Sequence, residues 1–101
     1  MGEITRLKFE GTTVRSVLRD GECAVYLSDV LKCIQLPKHA HLREMLRVAD
    51  AGMTTVLRIC GKDDLVLSSK GVGFLTGSLT SQKAKRFYEW FSPFLLRRFV
   101  G

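Results

Sequence analysis

The chain has 101 residues, with 46% hydrophobic and 26% charged side chains and a formal net charge of +6. That is one domain's length, enough to bury a core without covalent staples, and the composition is that of a globular chain rather than a disordered one. No apolar run approaches the ~20 residues of a membrane-spanning helix, and Met1–Lys8 carries charges where a signal peptide needs its apolar stretch. A non-secreted protein of the cell interior, in cytoplasm or nucleus, is therefore expected.

In chain order, Ile4–Phe9 alternates in the manner of a strand and Glu10-Gly11 reads as a turn. Thr12–Leu18 is rich in β-branched residues, Asp20-Gly21 is a hairpin signal, and Cys23–Leu27 completes a three-stranded meander. Ser28 reads as a helix N-cap with Asp29 in the first turn. Leu36-Pro37 stops that helix, because a residue before proline avoids the α region. A second helix over 39–49 places Leu42, Met45, Leu46 and Ala49 on one stripe, with Arg43 and Arg47 off it.

Beyond the break at Ala51-Gly52, Thr54–Cys60 and Leu65–Ser68 read as a hairpin around Gly61–Asp64. A glycine-weakened helix follows over Lys70–Leu79. Ser81 caps a strong helix over Gln82–Phe91, and Ser92-Pro93 either kinks it or caps a new one. The order predicts a single α+β domain spanning 1–101, with about four helices packed on antiparallel strands.

Cys23, Cys33 and Cys60 have neither pairing nor zinc-site spacing, so buried reduced thiols are expected, with no metal and no cofactor. His39 and His41 face apart on a helix and do not converge on Cys33. Gly71-Val72-Gly73 lacks the spacing of a phosphate loop, and no motif frames a nucleophile, so no enzyme is expected.

The charge is lopsided. Residues 1–50 carry eight Lys/Arg and seven Asp/Glu, whereas residues 51–101 carry eight and three. A basic half-chain points first to a polyanion such as DNA, with RNA or single strands also admissible. On the last helix, Ala84, Phe87, Tyr88, Phe91 and Leu95 share a core face, while Lys83, Arg86, Trp90 and Arg97 share another. Trp90 can stack on a base or join the core. Six of the nine aromatics lie within 87–99, which favours the core. The helices over 28–49 also resemble a helix–turn–helix with basic Arg43 and Arg47 on its outer side.

Three stretches together resemble the Bro-N domain, the N-terminal domain of baculovirus-repeated-ORF proteins shared with phage antirepressors. Phe9-Glu-Gly-Thr-Thr-Val-Arg-Ser-Val-Leu-Arg-Asp-Gly21 is similar to its opening strands and turn, and Val25-Tyr-Leu-Ser-Asp-Val30 to its "F-V-A-K-D-V". Ser81–Trp90, with Ala84, Phe87 and Trp90 spaced three apart, is similar to its closing helix. The chain departs from the pattern at Leu96-Arg97, where the family tends to have Leu-Pro, and residues 37–70 match only in pattern. The resemblance implies a viral or phage DNA-binding, transcription-regulating module without catalytic activity. Affinity would come mainly from phosphate contacts by Lys83, Lys85, Arg86, Arg97 and Arg98, with Arg43, Arg47 and Trp90 as further candidates. The alternative is an antirepressor-like protein-interaction module. Host, nucleic-acid sequence and oligomeric state, a dimer included, stay open at this stage.

Overall fold

The computed structural model describes residues 4–19, 22–59, 61–77, 79 and 81–100, all with their side chains except 19, 22, 59 and 94–100. Strands β1 (Ile4–Phe9), β2 (Thr12–Arg19) and β3 (Glu22–Tyr26) lead into helices α1 (Leu27–Cys33) and α2 (Lys38–Asp50). A hairpin of β4 (Thr54–Ile59) and β5 (Lys62–Leu67) follows, then α3 (Ser69–Gly77) and α4 (Gln82–Val100). The five strands form one antiparallel sheet in the order β1-β2-β3-β5-β4. The expected α+β domain with four helices is the observed one.

The β1–β2 turn is the two-residue loop Glu10-Gly11, both at positive φ (47° and 86°). That conformation matches the right-handed twist of the paired strands. The Asp20-Gly21 turn and Cys60 lie outside the described residues. The second hairpin is tighter than the sequence suggests. Gly61 turns at φ 77°, and Lys62, Asp63 and Asp64 belong to β5, where they pair with Ile59, Arg58 and Leu57. Arg58 and Asp63 face each other across the ladder with an ion pair of 3.3 Å.

One sheet face packs against all four helices. Phe9, Val14, Val25 and Leu67 from the strands meet Val30, Leu31, Ile34, Val48, Val72, Leu75, Ala84, Phe87 and Phe91. A smaller cluster of Val17, Ala24, Tyr26 and Val66, flanked by Ile4 and Leu57, consists of strand residues alone.

Helix α1 corrects two expectations. It starts at Leu27 with no side-chain cap, so Ser28 lies inside it and caps nothing. Asp29 is buried and accepts from the Arg15 backbone N–H (2.9 Å) and from Arg15 Nε and Nη2 (2.9 and 3.1 Å). The β2–β3 ladder stops at Ser16↔Val25, one residue short of Arg15. Asp29 thus supplies the acceptor that a longer β3 would have offered. The helix ends at Cys33 rather than at Leu36-Pro37, because Gln35 takes up a left-handed φ of 54°.

Helix α2 is rotated relative to the expected stripe. Ala40, Glu44 and Val48 are buried, while Leu42 and Leu46 are 64% and 55% exposed. Glu44 can be buried because Arg47 Nη2 and Nε reach its Oε1 at 2.8 and 2.9 Å. A Schellman closure ends the helix: the Met53 N–H reaches the Val48 carbonyl, and Gly52 turns at φ 74°. Helix α1 packs chiefly on β2, β3, β5 and α4, and α2 on α3 and β4. The two helices thus bury one face each in the core, and α2 leaves Leu42, Arg43 and Leu46 exposed on its other side.

Ser68 caps α3 by accepting from the Gly71 N–H at 3.0 Å, and Ser81 caps α4 through the Ala84 N–H at 3.0 Å. Helix α4 runs through Pro93 without a break. Ser92 Oγ donates to the Tyr88 carbonyl at 2.8 Å beside the position where proline lacks an N–H. Ala84, Phe87 and Phe91 are buried as expected, but Tyr88 is 42% exposed. The side chain of Leu95 lies outside the described set. No helix among the described residues is long and apolar enough to cross a membrane.

Candidate nucleic-acid interface

Helix α4 sets its cations by its core face. With Ala84, Phe87 and Phe91 turned inward, Lys83, Lys85 and Arg86 fall on its sides and outer surface. Lys83 and Arg86, one turn apart, converge on a carboxylate from the far end of the chain. Lys83 Nζ lies 2.6 Å from Glu10 Oε1, and Arg86 Nε 2.8 Å from Glu10 Oε2. The Arg86 and Lys83 hydrogen bonds, in that order, pull the Glu10 carboxyl down from 4.5 to about 2, and Glu10 in turn raises the Arg86 guanidinium. Two cations sharing one carboxylate keep a net positive charge, yet neither is idle. Lys85 has no ion pair among the described residues.

Trp90 belongs to the core side of the same helix. Its ring centroid lies 5.3 Å from Phe9, 5.4 Å from Phe87 and 6.5 Å from Phe91, and the residue is half-buried. The stacking role expected as one option for Trp90 is thereby met by neighbouring aromatic rings rather than by an open face.

Arg43 and Arg47 converge on α2 around the buried Glu44. Arg43 is exposed and 3.7 Å from that carboxylate. Arg47 is held by it and also lies over the Phe74 ring at 4.6 Å, so its charge is committed to the fold. The side chains of Arg97 and Arg98 lie outside the described set. Of the expected cations, Lys83 with Arg86 and Arg43 with Arg47 form two clusters, each organised by one carboxylate, and Lys85 stands apart from both.

Sequence reasoning missed both carboxylates. Glu10 lies 73 residues before Lys83, and nothing in the sequence near α4 points to it. It also missed a cleft of about 450 Å³ between α3 and α4, lined in part by Lys85 and Tyr88.

The Cys33 thiol is held inert by its surroundings. Cys33 is buried, and desolvation, followed by the Asp29 charge, pushes its pKa up to about 11, far from a thiolate at neutral pH. His41 Nε2 donates to the Leu36 carbonyl at 2.9 Å, and no metal-holding cluster of His, Cys, Asp or Glu occurs among the described residues. Comparison with protein-family models, with curated proteins and with solved structures finds no match.

Proposed function

We propose that this chain is a non-enzymatic nucleic-acid-binding regulatory domain that holds DNA mainly through its phosphates. The observation that carries the reading is the cation set on α4: Lys85, in no ion pair among the described residues, and Lys83 and Arg86 preorganised side by side on Glu10. Preorganised donors lose little side-chain freedom on meeting a phosphate. The overall charge of +6 adds long-range attraction for a polyanion. The resemblance to the Bro-N domain of viral and phage regulators points the same way.

Each phosphate neutralised contributes about −0.9 to the slope of log K against log salt. Lys85 and the Lys83–Arg86–Glu10 cluster, of net charge +1, give a slope of about −2. Fluorescence anisotropy with a labelled duplex at several salt concentrations tests this. Replacing Lys85 and Arg86 together by Gln should flatten the slope by about two. A wild-type chain that binds neither DNA nor RNA at low salt overturns the proposal.

A protein-interaction module is favoured by a different observation, the exposure of Leu42 and Leu46 on one side of α2. Salt-resistant binding to a protein that Leu42→Asp abolishes would support it.

A further inference from the structure

We propose that the cleft between α3 and α4 is a nucleotide-binding site that takes a base against the Tyr88 ring and the attached phosphate at the Lys85 ammonium. Gly73, Gly77, Leu79, Lys85, Tyr88 and Glu89 line it, and its volume of about 450 Å³ is of small-ligand size.

The glycines carry the first part of the case. Gly71, on the same helix, is explained by packing, since a Cβ there would come within 2.5 Å of Leu67 Cδ1. Gly73 and Gly77 have no such reason. A Cβ on Gly73 would make only ordinary contact, 3.5 Å from Tyr88 Cε1, and one on Gly77 would meet nothing within 4 Å. Neither has a positive φ. Helix α3 therefore gives up helix propensity at Gly73, an interior position where alanine would fit and which borders the cleft, while Gly77 ends the helix and leaves the cleft wall open.

The remaining walls define the ligand. Leu79 packs against the core and offers an apolar floor, and Tyr88 stands 42% exposed as an aromatic wall. Thr76 also borders the space, but its hydroxyl is spent on the Val72 carbonyl at 2.7 Å. The charged groups of the described lining are the Lys85 ammonium and the Glu89 carboxylate, neither in an ion pair among the described residues. A cation calls for an anion, a carboxylate for an N–H donor, and an exposed ring for a planar partner. A nucleotide whose base carries an exocyclic amine supplies all three. For its ligand class this inference rests on the nucleic-acid reading above.

The test is an amide-resolved NMR titration of the full chain with AMP and CMP, with UMP and inorganic phosphate alongside. Duplex and single-stranded DNA and RNA are measured in parallel by anisotropy. AMP or CMP should shift Gly73, Gly77, Leu79 and Tyr88 with half-saturation below about 1 mM. UMP should bind several-fold more weakly, and phosphate alone should leave Tyr88 unmoved. Lys85→Gln should weaken AMP at least about fivefold, and Gly77→Leu, which has room to fold, should abolish binding by filling the cleft. A single strand that shifts the same amides identifies nucleic acid as the source of the nucleotide. Nucleotide binding with no binding of DNA or RNA makes this a free-nucleotide site and removes the nucleic-acid reading instead. DNA binding with no nucleotide shift at these amides overturns the cleft while leaving that reading standing. Undiminished AMP binding in Gly77→Leu overturns it as well.

Discussion

Replacing Phe87 by alanine should remove a large fraction of the stability of the fold. The side chain is 0% exposed, with ring centroids 5.2 Å from Phe9, 5.4 Å from Trp90 and 6.2 Å from Phe91. Full burial of such a side chain is worth roughly 1.5–3 kcal/mol, and each favourable ring pair adds about 0.5–1.5 kcal/mol. A loss of about 4 kcal/mol follows, within the usual range for Phe→Ala in a core and a large share of the roughly 5–15 kcal/mol that holds a domain together. At about 4 °C or more per kcal/mol for a domain of this size, the thermal midpoint should fall by roughly 16 °C or more. Tyr88→Ala, one position on, should cost under about 1 kcal/mol because that ring is half in solvent. Urea titrations of the two variants beside wild type decide the matter. A Phe87→Ala midpoint equal to wild type, or a larger loss for Tyr88→Ala, would refute the facing of α4.

Asp29→Ala should destabilise by about 3 kcal/mol, since it orphans both the Arg15 backbone N–H and its guanidinium; a urea midpoint within error of wild type would contradict the ladder-substitute role. Glu10 has its folded pKa depressed from 4.5 to about 2, so its contribution is complete above pH 4.5 and is lost as pH falls toward 2. Glu10→Gln should accordingly show a flatter acid limb in a plot of thermal midpoint against pH, and identical limbs would count against the clasp. Gly73→Ala should stabilise by about 0.5–1 kcal/mol, read from the same urea titration. Cys33 should resist iodoacetamide at pH 8 in the native protein and react once unfolded, as peptide mass mapping would show.

Local chemistry was legible in the sequence, and distant pairing was not. Glu10-Gly11 announces its turn through Gly11, which takes a positive φ without steric cost. Ser81 announces its helix because a hydroxyl there meets an N–H three residues on. Helix α2 was misread for a physical reason. Leu42, Met45, Leu46 and Ala49 form the more apolar stripe, but Ala40, Glu44 and Val48 fit the space beside α3 and β4, with Arg47 neutralising the carboxylate. Tyr88 was misplaced because a 100° step puts it at the rim of the core face, where packing against α3 decides. The basic stripe on α4 was legible as charge. That a turn carboxylate from the opposite end of the chain would gather two of its members leaves no periodic trace.

The sheet is joined in the middle by very little. Strands β3 and β5 share only the pairs Val25↔Leu67 and Tyr26↔Val66, whereas β1–β2 and β4–β5 each run to six. The meander and the second hairpin can each zip up from a tight turn over short distances along the chain. Uniting them demands closure of a loop of roughly 40 residues, whose entropic cost grows only slowly with length but is met here by a two-residue seam. Cohesion between the two β units must then come from the helices laid across them, Val30, Leu31 and Phe87 above all. Under tension applied between β1 and β4, the sheet should part at this seam. Amide hydrogens of Val25 and Tyr26 would then report the rupture of the helical layer rather than the strength of the strands themselves.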